Sequence, residues 1–121
     1  IPIYAFRFDD RSVPMYMAPV SFPYGAAHTS EMQFLFPGFH GGSGVVQSLS
    51  PPEQMLSAQM IGFWTTFAKS GDPNHAGAPP WPKFNTAGAF ISLRTPAPTI
   101  ISENDIVTQH HCDVWDTVSQ Y

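Results

Sequence analysis

With 121 residues, a formal net charge of −4 and only 5 Lys and Arg, the chain lacks the basic footprint of a nucleic-acid binder. Its charged share is 12% against 43% hydrophobic, about half of the roughly 25% usual in soluble domains, so much of its surface is expected to face other protein. No apolar run approaches the ~18 residues of a membrane span, and the opening Ile1-Pro2, without Met, is expected of a piece of a longer protein.

Residues 3–9 read as a strand, with Tyr4, Phe6 and Phe8 on one face and Ile3, Ala5 and Arg7 on the other. Apolar groups on both faces suit a sheet covered on both sides. Pro14, Pro19, Pro23 and Gly25 leave no room for a regular element, so residues 10–25 are a loop. Residues 28–36 form a short helix or turn carrying Met32, Leu35 and Phe36, and the Gly- and Ser-rich residues 37–51 form an exposed excursion. The strongest signal is a helix over 51–70. Ser50 is its N-cap, Pro51 takes the first helical position, and Glu53 completes a capping box. Leu56, Met60, Phe63, Trp64 and Phe67 make one apolar stripe, whose burial yields on the order of 10 kcal/mol at about 2 kcal/mol per side chain. Gly71 suits a left-handed C-cap and Pro73 forbids continuation.

Residues 72–88 are a loop holding Trp81 and Phe84, with His75 solvated. Residues 89–93 form a second strand, and Pro96 and Pro98 break the chain beyond it. A last helix is expected over 103–118, capped by Ser102 or Asn104, with Ile106, Val107, His110, Val114, Trp115 and Val118 as its inner stripe. Strand, loop, helix, strand, helix is too little for a closed fold, because a two-stranded sheet needs further partners.

Few residues carry chemistry. An imidazole takes and returns a proton at neutral pH, since its unperturbed pKa is near 6.5, which makes His28 a candidate base; on spacing alone it is as well a structural histidine. Residues 39–44, Phe-His-Gly-Gly-Ser-Gly, mimic an oxyanion loop and part of a nucleophile elbow. The elbow Gly-x-Ser-x-Gly fails because Val45 stands where the second Gly belongs, and an oxyanion loop should precede the histidine rather than come after it. A flexible loop is the better reading. His110-His111-Cys112 invites a metal, but adjacent helical residues point apart and zinc needs three or four converging ligands, so neither metal nor cofactor is expected. Cys112 is the one cysteine, either a buried free thiol or half of a disulfide whose partner lies outside this chain.

Taken in order, Tyr4 to Phe8, Gly25-Ala26-Ala27-His28-Thr29-Ser30-Glu31 with Phe34 and Phe36, residues 61–74, Trp81-Pro82-Lys83-Phe84 and Cys112-Asp113-Val114-Trp115 resemble the C-terminal part of the type-B carboxylesterase and cholinesterase family, which are α/β-hydrolases. The resemblance implies an α/β fold holding only the C-terminal portion of the domain over residues 1–121, with no complete independent domain. It implies a serine ester hydrolase of which this chain contributes His28, while the nucleophile, oxyanion hole and triad acid belong to a missing N-terminal part. The partners it implies are that part and an ester substrate, and the chain by itself is expected to be inactive. Glu31 would be mistaken for the triad acid, but the family's acid lies upstream; Glu31 is expected as a buried, hydrogen-bonded support of the histidine loop. Many relatives carry Gly or Ala directly after the histidine, where this chain has Thr29, a minor departure. In the family a cysteine three residues before a C-terminal Trp often pairs with one upstream of the histidine segment; Cys112 and Trp115 match that spacing, and a disulfide there would favour an extracytoplasmic protein. Loops 10–25 and 37–50 flank His28 and are expected to wall the substrate pocket. The same resemblance allows a non-catalytic adhesion module, and the aromatic content allows a small binding domain.

Overall fold

The computed structural model describes residues 1–118. Its order is β1 (Ala5–Phe8), α1 (Met32–Leu35), α2 (Pro51–Ser70), α3 (Phe84–Ala87), β2 (Ala89–Leu93), β3 (Thr99–Ser102), α4 (Glu103–His110) and α5 (Cys112–Val118). The strands form one sheet in the order β1-β2-β3, with β1 parallel and β3 antiparallel to β2. Phe6 is level with Ile91 and Phe8 with Leu93, so these four share a face by the period of two. That face meets α1 and α2: Phe8 packs on Phe34 at 5.1 Å between ring centroids, and Phe6 on Trp64 at 5.0 Å. The opposite face carries Arg7, whose guanidinium reaches Asp9 at 2.7 Å and Gln109 of α4 at 2.8 Å. Ser92 donates to the same Asp9 carboxylate.

Helix α2 spans the expected residues. Glu53 accepts from the Ser50 backbone N–H at 2.6 Å, and Gly71 closes the other end at φ 74° with its N–H on the Phe67 carbonyl. The stripe is only partly covered: Leu56, Met60 and Phe63 are buried, but Phe67 is 48% exposed. Trp81, a packing aromatic by its residue type, is buried among Tyr4, Phe6, Phe63 and Trp64, with centroids 5.2 to 6.3 Å away. Asn74 holds it there by accepting from the Trp81 N–H at 2.7 Å and donating to its carbonyl at 3.0 Å. The Trp81 indole N–H reaches the Ala5 carbonyl at 3.0 Å, which ties the loop back to β1.

Four expectations need correction. The loop over 72–88 contains the helical turn α3, closed by Gly88 at φ 56°. His75 is not solvated: it is half-buried against Phe63 at 5.4 Å. Strand β3 begins one residue after Pro98, because a proline that forbids an interior ladder position is tolerated ahead of one, and Thr99-Ile100-Ile101 is a β-branched run. The last helix is split at His111, which takes φ 52° and gives its N–H to the Val107 carbonyl. With the break comes loss of the expected inner stripe. Val107, Val114, Trp115 and Val118 are exposed, and Ile106 is half-buried.

Candidate functional site

The strand β1 delivers the chain to the site. Asp9 prolongs the pairing by donating its N–H to the Leu93 carbonyl at 2.8 Å. Asp10, buried, then turns the chain by accepting from the N–H and hydroxyl of Ser12 at 3.1 and 2.7 Å. The loop beyond returns through Gly25, at φ 60° beside the Arg11 guanidinium.

His28 sits on a tight turn. The Ser30 N–H bonds the Ala27 carbonyl at 3.1 Å, and the Ser30 hydroxyl reaches the same oxygen at 2.6 Å. Of the two central residues, only Thr29 has positive φ, 69°. This is the pattern of a type II turn, whose third position calls for Gly or Asn. A β-branched residue there costs of order 1–3 kcal/mol, so the departure that looks minor in the sequence is the most demanding backbone position near the histidine. Two contacts hold it: the Tyr16 hydroxyl meets Thr29 Oγ1, and that hydroxyl donates to the His28 carbonyl at 2.6 Å. Gln33, 6% exposed, adds a second tether by donating Nε2 to the Pro14 carbonyl at 3.0 Å and the Ser30 carbonyl at 3.2 Å. Tyr16 and Gln33 escaped sequence reasoning; the one signal was Thr29, standing where many relatives carry Gly or Ala.

The imidazole of His28 is exposed, and none of the described residues hydrogen-bonds it. Glu31 does not meet its expectation. It is half-buried at the N-terminus of α1, and its carboxylate makes no cap hydrogen bond. Instead it is the one charged side chain lining a cleft of about 540 Å³ formed with Phe6, Met32, Leu35, Phe36, Ile61, Trp64, Thr65 and Ala68. A second cleft, also about 540 Å³, lies between β1, the 24–26 segment and α4, with Arg7, Asp9, Arg11 and His110 on its walls. His28 lines neither.

The glycine-rich segment 39–44 is closed on itself. His40 Nδ1 accepts from the Gly42 and Gly44 N–H groups at 3.2 and 3.1 Å, and the Ser43 hydroxyl donates to the His40 carbonyl at 2.7 Å. The Gly42 and Gly44 N–H groups are thus already engaged within the segment. No group of three His, Cys, Asp or Glu suited to a metal ion occurs among the described residues. Cys112 is a half-buried free thiol at the start of α5, and any disulfide from it needs a cysteine outside this chain. None of the described helices is long and apolar enough to cross a membrane.

A mixed sheet with helices on both faces and a histidine turn beyond a parallel strand define part of an α/β-hydrolase fold. A thermophilic PNB esterase superposes with a TM-score of 0.67 at 24% identity, over 90% of this chain and 21% of its own. A Geobacillus stearothermophilus carboxylesterase does so with a TM-score of 0.57 at 29% identity, over 83% of this chain and 19% of its own. The sequence model of the carboxylesterase family matches residues 1–115. Carboxylesterase 5A of Mus musculus is 33% identical over 94 residues, and the cocaine esterase of Homo sapiens 31% over 93; each match covers 76% of this chain. The chain belongs to the carboxylesterase family. It spans 16% of the length of these two relatives.

Proposed function

We propose that this chain is the C-terminal portion of a serine carboxylic ester hydrolase and that His28 is its general base. A serine from the missing portion attacks the ester carbonyl. His28 takes the hydroxyl proton and returns it to the departing alcohol; a second round with water releases the acid. An acid from the same missing portion orients the other ring nitrogen. The observation that carries the reading is the open imidazole on a turn beyond a strand of the hydrolase sheet. Glu31 lies three residues on, facing an apolar cleft rather than the imidazole, and its part is to line a pocket wall. Loops 10–25 and 37–50 meet where the Tyr16 ring stands against Phe39 and Gly41.

The test is hydrolysis of a p-nitrophenyl ester by the full-length enzyme carrying this chain, with His28→Gln as the variant. Loss of kcat by about 10⁴-fold or more is expected, since removing one member of such a triad disables the unit. Full-length His28→Gln protein that is folded and turns over within a few-fold of the parent overturns the assignment. The 121-residue chain alone, lacking a nucleophile elbow, is expected to show no hydrolysis above buffer.

A further inference from the structure

We propose that Tyr16 is a positioning residue for His28, acting through Thr29 and peculiar to the threonine this chain carries after the histidine. The inference rests on His28 being the base of the ester hydrolase. The bonds run in one direction. The Thr29 hydroxyl gives its proton to the His28 carbonyl at 2.6 Å, so its oxygen is left to accept, and the Tyr16 hydroxyl is the donor that meets it. That pair pins the side chain of a residue held at φ 69°, a conformation β-branched residues avoid. Without the pin, Thr29 gains by relaxing toward negative φ, and the turn that aims His28 swings with it.

Tyr16 is itself fixed from the other side. Its ring stands edge-on to Phe39 at 5.4 Å. It also lies so close to Gly41 that a Cβ there would come within 2.0 Å of the ring. The segment 39–44 that imitates an oxyanion loop thus works as a backstop for Tyr16. Gln33 runs a parallel tether from Pro14 to Ser30, one step outside the Tyr16–Thr29 pair. A relative with glycine after the histidine needs no such pin, because glycine takes positive φ freely.

The proposal predicts an interaction between two positions, which a packing role for Tyr16 would not produce. Tyr16→Phe keeps the ring against Phe39 and Gly41 and deletes only the hydroxyl. Measured on a p-nitrophenyl ester in the full-length enzyme, it should lower kcat about 10- to 100-fold with KM little changed, the range that misaligning a catalytic group by up to an ångström produces. The same change made on a Thr29→Gly background should lower kcat less than about 3-fold relative to that background. Equal losses on both backgrounds, or no loss from Tyr16→Phe alone, overturn the proposal. If Tyr16→Phe is insoluble, Thr29→Ala against Thr29→Gly asks the same question. Alanine lacks both the hydroxyl and the glycine φ range, so it should lose at least 10-fold more kcat than glycine, and equal values reject the pin. His28→Gln in the same series separates the two ideas. Full activity in that variant removes the base assignment itself, whereas its inactivity beside a silent Tyr16→Phe removes only the pin.

Discussion

Gly62 lies inside α2, where glycine ordinarily costs about 1 kcal/mol relative to alanine. Here a Cβ would come within 2.6 Å of His75 Nε2. The ring has little freedom to retreat: it rests on Phe63 at 5.4 Å, its Nδ1 faces the Ala76 carbonyl at 3.1 Å, and Nε2 is buried with no hydrogen-bond partner among the described residues. The clash therefore outweighs the propensity gain. Gly62→Ala should lower stability by about 1–3 kcal/mol, as overpacking does, read as a shift in the urea midpoint at unchanged slope. On a His75→Ala background the sign should reverse, with Gly62→Ala stabilising by roughly 0.5–1 kcal/mol. An effect of the same sign in both backgrounds would show that the ring is not what the helix accommodates.

The ends of α2 and α4 carry carboxylates whose protonation bears on the fold. Asp72, just past α2, is held below the usual carboxylate range by the Asn74 backbone N–H and then by the Asn74 side chain. Asp105, in the first turn of α4, is lowered by the Ser102 hydroxyl and then by the Ser102 N–H. A carboxylate lowered in the folded state adds stability that is fully present above its unfolded value, about 3.9. That stability is lost as pH falls through the lower, folded value. Stability should thus be flat at neutral pH and decline below about pH 4, and Asp72→Asn should flatten part of that decline in thermal melts run from pH 6 to pH 2. The effect is small because both groups face solvent. Tyr4 moves the other way: burial first, then Asp72, raise its phenol above 10.0, so it stays neutral across this range.

Element by element, legibility tracked how local the cause was. Helix α2 could be read to the residue because Ser50, Pro51, Glu53 and Gly71 act within one turn of where they sit. Strand β3 was hidden by Pro96 and Pro98, since the pairing of Ile100 with Ile91 is a tertiary fact. The break at His111 was hidden because histidine tolerates positive φ without advertising it. At the candidate site, His28 was singled out by its neighbours in sequence. Tyr16, 13 positions away from Thr29, was not, because nothing local links a tyrosine in a proline-rich loop to a turn beyond it.

For the molecule as a whole, the decisive feature is how much apolar surface lies uncovered. Phe6, Phe36, Phe67, Ile100, Val114 and Trp115 are each at least 43% exposed, with Trp115 at 66%. Single exposed apolar residues are ordinary, but these occur on the sheet, on α2 and on α5 together. Phe6 and Phe36 share one cleft with Met32, Leu35, Ile61 and Trp64. Surface of this kind ordinarily marks a place where other protein belongs, and a partial hydrolase fold supplies the reason. The purified 121-residue chain should accordingly associate as its concentration rises and bind an apolar dye such as ANS, seen as an increase in sedimentation coefficient between low and high micromolar protein. Under the proposed reading, both signals should vanish when the chain is part of a longer protein that covers these faces. Polar replacement on the uncovered helix, Trp115→Ser with Val114→Ser, should weaken the association of the isolated chain without unfolding it, since neither side chain belongs to the buried core. A monomeric 121-residue chain that unfolds cooperatively and ignores the dye would instead establish a free-standing domain, and the portion-of-an-enzyme reading would have to be abandoned.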